Sequence, residues 1–321
     1  MGWRGTVRSV SAMLRAAERD AQRRHKAALK AQTIQDAAAA VDTWEAYVHG
    51  LTSVHTDLAD SINWHRIAAL PEPTAPQFSN THQQKAKAAL VAFKPTIFDI
   101  FRGGSEKRRS LLEADLAVAG KRDQADYENA MRDYRRELQE WEADTSLARQ
   151  LLAGESSAIK TVITEMQSLT NEDLIGSAVT FAIGENFLHA KPEVHSDEIV
   201  PNFRRKQLAS GRLSESKMPV GQFNELYQDY VGSVALKTAG DLFNIVPLDE
   251  IYVTCLARML NSKTGHQELM PILSAQFVRS TFARLSLENL DPSDSMANFN
   301  HVMSFKKSKG FAPITPLKSI D

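Results

Sequence analysis

The stretch Tyr127–Leu152, YENAMRDYRRELQEWEADTSLARQLL, decides how the first half of this 321-residue chain is read. Tyr127, Met131, Tyr134, Leu138, Trp141, Thr145, Ala148 and Leu152 follow one another at spacings of four and three, a heptad seam in which only Thr145 is not apolar. Arg132, Asp133, Arg135, Arg136, Glu137, Glu140, Glu142 and Asp144 fill the positions between, so the sequence predicts a charged helix with one narrow apolar stripe. Ile34, Ala37, Val41, Trp44, Val48, Leu51, His55, Leu58 and Ile62 form a second seam with the same spacing. As helices the two runs would each be roughly 40 Å long, and their matched lengths predict that they pack on each other as a coiled coil.

Working outward, Thr6 to about Leu70 contains no proline and one glycine, Gly50, which predicts one very long helix or two joined end to end. Its first third is basic: Arg4, Arg8, Arg15, Arg19, Arg23 and Arg24 surround an apolar edge of Val7, Val10, Leu14 and Ala17. That pattern fits a solvated or oligomerising helix extension, a rod that contacts phosphate backbones without reading sequence, or a helix lying on an anionic membrane surface. Pro71, Pro73 and Pro76 then turn the chain around, and a short helix follows from about Thr81 to Phe93, capped by Asn80 or Thr81. The apolar run from Thr96 to Gly104 is too short to span a bilayer and is expected to plug the end of a helical bundle. The next helix is expected from Ser105 to about Gly154, with a slip of the seam between Gly120 and Asp126, and another from Ser156 to about Leu169.

Beyond Asn171 the period changes from helical to alternating. Val179, Phe181 and Ile183, the turn Gly184-Glu185-Asn186, and Leu188, Ala190 and Val194 predict a hairpin. The basic stretch with Arg204, Arg205, Lys206, Arg212 and Lys217 is expected to be a loop, and Pro219 to open a central helix with a broad apolar face. Two further strands are expected at Ile251–Leu260 and Ile272–Val278, followed by short helical pieces at Thr281–Leu285 and after Asp291-Pro292. The predicted fold is therefore α+β: a long helical, coiled-coil-like domain over residues 1–170, then a small α+β domain with a mostly antiparallel sheet over 171–321.

Composition narrows the function classes without choosing among them. A net charge of −1 makes nucleic-acid affinity a matter of local patches, and the lone Cys255 excludes an internal disulfide framework and a cysteine-rich zinc site. No run of about 18 apolar residues is present to span a membrane, and the first 30 residues lack the apolar centre of a secretory signal, so a cytoplasmic location is expected. No Walker loop, dinucleotide fingerprint, nucleophile elbow or zincin motif occurs, so no cofactor or metal is assigned. One candidate for chemistry survives, His266, in a loop after an apparently buried strand, with Lys263 and Arg258 nearby as candidate catalytic partners. Lys306, Lys307 and Lys309, interleaved with Phe305 and Phe311, fit either a nucleic-acid or anion contact or a charged edge strand. His55, at a seam position, is expected to be packed rather than to ligate.

Met1-Gly2-Trp3-Arg4-Gly5, the segment Phe223–Tyr230, Thr264-Gly265-His266, Asp291–Asp294 and Phe305–Phe311 together resemble an uncharacterised family of bacterial proteins with an N-terminal coiled coil and a C-terminal α+β domain. The resemblance implies a bacterial cytoplasmic origin and assigns no residue a role. The expected function is a non-enzymatic interaction or scaffold protein that self-associates or binds a partner protein through its helical half, with the α+β domain as a recognition head. Two alternatives stand beside it: a nucleic-acid-associated accessory protein, for instance of a nuclease or phage-defence system, and a hydrolase or nuclease centred on His266.

Overall fold

A computed structural model describes residues 30–94, 104–167 and 178–317. The chain forms two compact units, one holding residues up to Ile62 together with Gly154 onward, the other Asn63–Ala153. This division differs from a single cut at residue 170: the helix carrying the first seam, α1 (30–52), belongs to the same unit as the C-terminal sheet. Residues 1–29, with Arg4, Arg8, Arg15, Arg19, Arg23 and Arg24, and most of the apolar run 96–104 lie outside the described residues.

The Asn63–Ala153 unit is built from α2 (Trp64–Ala68), α3 (Thr81–Ala92) and the 49-residue α4 (Gly104–Leu152). At 1.5 Å per residue α4 is about 73 Å long. The seam sets its burial. Tyr127, Met131, Tyr134, Leu138 and Trp141 are half-buried and Thr145 and Ala148 buried, while the charged residues between them are exposed. Within this unit the cover over Tyr127–Trp141 is the proline-rich segment. The Trp141 indole N–H donates to the Leu70 carbonyl at 2.9 Å, and the Phe78 ring meets Tyr127 edge-on at 5.6 Å. Eight strap residues extended at about 3.1 Å each cover about 25 Å, close to the roughly 21 Å that fourteen helical residues rise, so strap and helix run antiparallel in step. Prolines suit this task because a chain already restricted loses little entropy on docking.

The slip of the seam has a local cause. At Gly120 a Cβ would lie 2.9 Å from Gln83 Nε2, the movable end of a glutamine side chain, which marks where α3 passes this helix. Asp123, only 2% exposed, then accepts the backbone N–H groups of His82 at 2.8 Å and Gln83 at 3.0 Å. The cap of α3 therefore comes from another helix, where Asn80 or Thr81 was expected; Asn80 Oδ1 instead accepts from the Gln84 side chain. Asp123→Ala is expected to cost about 2 kcal/mol, because two first-turn donors lose a charged acceptor. Amide exchange in 81–92 should accelerate while that of 127–152 holds; uniform acceleration across both would contradict a capping role.

In the other unit, α1 ends at residue 52, short of the predicted Leu70. A 3-10 turn at Val54–Thr56 follows, and the chain then runs extended to Ile62. It leaves the helix because a later helix offers its backbone better partners. α6 (Val220–Ile245) carries Ser233, Lys237, Asp241 and Asn244 at spacings of four, four and three on an otherwise apolar surface. Ser233 Oγ accepts from His55 N–H at 3.1 Å, Lys237 Nζ donates to the Asp57 carbonyl, and Asp241 Oδ1 accepts from Ala59 N–H at 2.8 Å. Asn244 donates from its side chain to the Ala59 carbonyl and accepts Ile62 N–H at its own carbonyl, both at 2.8 Å.

α5 (Ser156–Gln167) precedes a six-stranded sheet of order β1-β2-β5-β6-β7-β8. The strands are β1 (Val179–Gly184), β2 (Phe187–Pro192), β5 (Glu250–Leu260), β6 (Gln267–Val278), β7 (Asn300–Lys306) and β8 (Gly310–Ala312). Only the β2–β5 pairing is parallel, so the sheet is mostly antiparallel and the fold mixes helix and sheet as predicted. α6 lies on one face, with Cys255 Sγ 3.8 Å from the Val231 carbonyl and Tyr230, Val231, Val234, Ala235, Ile251, Val253 and Phe277 wholly buried. The basic stretch expected to be a loop is a second small sheet, β3 (Phe203–Gln207) paired with β4 (Leu213–Lys217). Arg205 faces Glu215 across it at 3.0 Å, and Gly211 turns it at φ +81°. Its backbone receives Trp44 Nε1 at the Phe203 carbonyl, while the Gln207 side chain reaches the Ile34 carbonyl, so α1 lies against the hairpin. No helix among the described residues is long and apolar enough to cross a membrane.

Candidate functional site

The three residues proposed around a hydrolytic centre do not form a cluster of mutual contacts. His266 and Lys263 are exposed on the tip of the β5–β6 hairpin, and Arg258, on β5, reaches toward Glu193 at 3.8 Å. The tip is fully explained as a turn. Asn261 Nδ2 and Thr264 Oγ1 donate to the two oxygens of Glu268 at 2.8 and 2.7 Å, Asn261 Oδ1 accepts Lys263 N–H, and Gly265 supplies φ +73°. The two donated hydrogen bonds hold the Glu268 carboxyl below its ordinary pKa. His266 offers no ring hydrogen bond to this network. His266→Ala is expected to leave unfolding free energy within about 0.5 kcal/mol of wild type, measured by urea titration; a larger loss would mean that the ring orders the tip.

The lysine turn after β7 is an edge element, since β8 closes that side of the sheet. Lys307 pairs with Glu225, and its carbonyl accepts from Asn224 Nδ2 at 2.7 Å, so the turn is fastened to the start of α6. The hydrogen bond and charge of Glu225 raise the Lys307 pKa. Lys306 and Lys309 remain exposed. Two neighbouring cations on a turn whose third is neutralised give a weak footprint for a polyanion.

Buried polar groups form two arrangements that the linear pattern concealed. His55, 2% exposed, has Nδ1 2.8 Å from Ser233 Oγ and Nε2 2.9 Å from the Leu287 carbonyl. A carbonyl only accepts, so Nε2 carries the proton and Ser233 donates to Nδ1. Burial holds the His55 pKa low. The hydroxyl is wholly buried and the group orienting the ring is a carbonyl, so this is a packed histidine rather than a nucleophile pair. On the sheet, His189 Nε2, Thr254 Oγ1 and Ser274 Oγ follow one another at 2.8 Å across β2, β5 and β6, all three wholly buried. Ser274 also accepts Leu317 N–H at 3.2 Å, and His189 Nδ1 has no partner. Among the described residues no group of three or more histidine, cysteine or acidic side chains is placed to hold a metal.

A shallow cleft lined by Gly240, Phe243, Asn244, Arg279 and Phe282 contains a cation with each of its three nitrogens already donating to a backbone carbonyl. Arg279 Nε, Nη1 and Nη2 donate to the carbonyls of Leu248, Phe243 and Val246 at 2.8, 2.8 and 2.6 Å. Exposed apolar side chains occur on both units: Leu260 and Val220 are 64% and 57% exposed on the unit that holds the sheet, and others lie on the helical unit. Val91 of α3 is 85% exposed, and Leu111 and Val118 of α4 are 62% and 43% exposed, beside the seam rather than on it. Scattered exposed leucines are ordinary; two large apolar residues one heptad apart on a long, otherwise charged helix make a stripe. Comparison with protein-family models, with curated protein sequences and with solved structures finds no match.

Proposed function

We propose that this chain is a non-enzymatic interaction protein whose contact element is the helical arm α3–α4, with the α+β unit as a recognition head. The reading is supported by one observation above others: α4 runs for 49 residues with one stripe covered, and its N-terminal half leaves Leu111 and Val118 in solvent. An apolar stripe flanked by charge on an extended helix is the geometry by which helices recognise partner helices. Nucleic-acid association rests on the N-terminal arginines together with Lys306 and Lys309, and a reaction at His266 has only an ordered turn behind it.

The test is capture of partners from the host by the intact chain and by a Leu111→Glu/Val118→Glu variant. A partner retained by the wild type and lost by the variant is the expected result. A wild-type chain that is monomeric at micromolar concentration and retains nothing would sink the proposal. Salt-sensitive retention of nucleic acid, unchanged in the variant, would move the working surface to the basic groups.

A further inference from the structure

From the exposed stripe and the charge distribution of the arm, and resting on the interaction reading above, we infer that two copies of this chain associate by antiparallel pairing of their α4 helices along Leu111, Ala114, Val118 and Ala125. These four positions are exposed, and their spacings of three, four and seven place them on one face. Each of Leu111 and Val118 precedes by one residue a less exposed position, Leu112 or Ala119, so the stripe is turned about 100° from the covered one. α4 thus carries a covered seam and, beside it, a shorter open one.

Charge selects the occupant. Among the described residues, Lys85, Lys87, Lys94, Lys107, Arg108 and Arg109 belong to α3, its end and the first turn of α4, with Glu106 the one acid among them. Further along, residues 113–144 carry ten acidic side chains against five basic ones. One arm therefore has a cationic end and an anionic body, and a second copy turned end for end satisfies both at once. A twofold pairing centred on Val118 sets the basic turn 107–109 of each helix beside residues 127–129 of the other, flanked by Asp126, Glu128 and Asp133. Parallel pairing would instead oppose the basic turn to itself, which like-charge repulsion disfavours. The exposed intrahelical pairs, such as Arg136 with Asp133 at 3.3 Å, are weak enough to exchange partners. A twofold contact needs only one self-complementary patch, which is the patch this arm has. With two large apolar side chains per copy the contact is modest, and a dissociation constant on the order of 10 micromolar at low salt is expected.

Light scattering of the intact chain between about 1 and 200 micromolar should show the mass rise from 35.7 kDa toward twice that value, and fall back as salt is raised. Leu111→Glu/Val118→Glu should weaken association about 100-fold. Its thermal midpoint should fall by no more than about 2 °C, since Leu111 is 62% exposed and Val118 43%. Cross-linking fixes the direction, because the native Cys255 is wholly buried and leaves an introduced thiol as the reactive one. Val118→Cys should form a disulfide with its own copy. Leu111→Cys should not, because antiparallel copies of residue 111 lie about 20 Å apart, whereas a mixture of Leu111→Cys and Ala125→Cys chains should cross-link to each other. A wild-type chain that stays monomeric at the highest concentration in low salt, or Leu111→Cys chains that cross-link in register, would overturn the inference. A monomer whose captured host partner is still lost in the glutamate variant would overturn only the self-pairing and leave the interaction reading standing.

Discussion

Arg279→Ala is expected to lower the unfolding free energy of the α+β unit by about 4 kcal/mol. The side chain holds the place where α6 must stop. A helix ends with carbonyls that have no intrahelical donor, and one planar guanidinium takes that of Phe243 in the last turn together with those of Val246 and Leu248 just beyond it. Its charge also lies favourably at the negative end of the helix dipole, 4.8 Å from the centre of the Phe243 ring. Alanine removes all three donors at once and leaves carbonyls in a partly buried cleft where water replaces them poorly. Lysine keeps the charge without the fork geometry, so Arg279→Lys should recover less than half of the loss. For a unit of this size the alanine variant should melt about 10 °C lower. A fall of less than about 2 °C would show that solvent already serves these carbonyls.

That role was invisible in the sequence for a physical reason. Arg279 lies 36 residues beyond Phe243, and nothing local marks an arginine at the end of a strand as the cap of an earlier helix. The seam of α4 was legible because a heptad period reports which face of a helix is covered. It does not report what covers it. Matched seam lengths pointed to a second helix, whereas within its own unit the stripe from Tyr127 to Trp141 takes a proline strap, and Trp44 of the first seam reaches a β-hairpin.

The polar stripe Ser233, Lys237, Asp241 and Asn244 was present at helical spacing in the sequence. A reading confined to apolar positions passes over it, and with it the signal that another backbone segment is fastened there. The arginine-rich stretch 203–217 was read by charge, although its partner-facing register, Arg205 opposite Glu215, is that of a strand pair. His189, Thr254 and Ser274 meet only because β2, β5 and β6 are neighbours, so their contact depends on pairing that no local pattern encodes. The same limit hid the open stripe at Leu111 and Val118: an apolar residue reads as core until its exposure is known.

Acidification from pH 7 to 4.5 should withdraw about 2.5 kcal/mol of stability through His189, a loss that Asp229 offsets in part. Burial, and secondarily the charge of Lys191, pull the His189 pKa down to about 4 from the 6.5 of a free histidine. The folded ring therefore stays neutral while the unfolded chain takes up a proton. Its contribution is fully present above pH 6.5 and is lost progressively as pH falls toward 4. The surroundings offer a second ring proton little: Nε2 already meets the Thr254 hydroxyl and Nδ1 has no hydrogen-bond partner.

His55 acts in the same direction, its pKa also being lowered by burial. Asp229 acts in the opposite one. Burial first, then the neighbouring Asp291, Asp294 and Glu225, raise its pKa to about 6 against the hydrogen bond from Ser293, so its ionisation costs stability above pH 6 and protonation relieves that cost toward pH 4. The histidine should prevail, because its ring is wholly buried whereas the Asp229 carboxylate keeps some contact with solvent and is screened. Asp229→Asn should gain about 1 kcal/mol at pH 7.5 and then lose stability more steeply on acidification than wild type. His189→Gln should flatten the profile between pH 6.5 and 4.5. Urea titrations across that range separate the two groups: the asparagine variant should steepen the loss on acidification and the glutamine variant should flatten it. An unchanged slope in His189→Gln would place the acid sensitivity elsewhere.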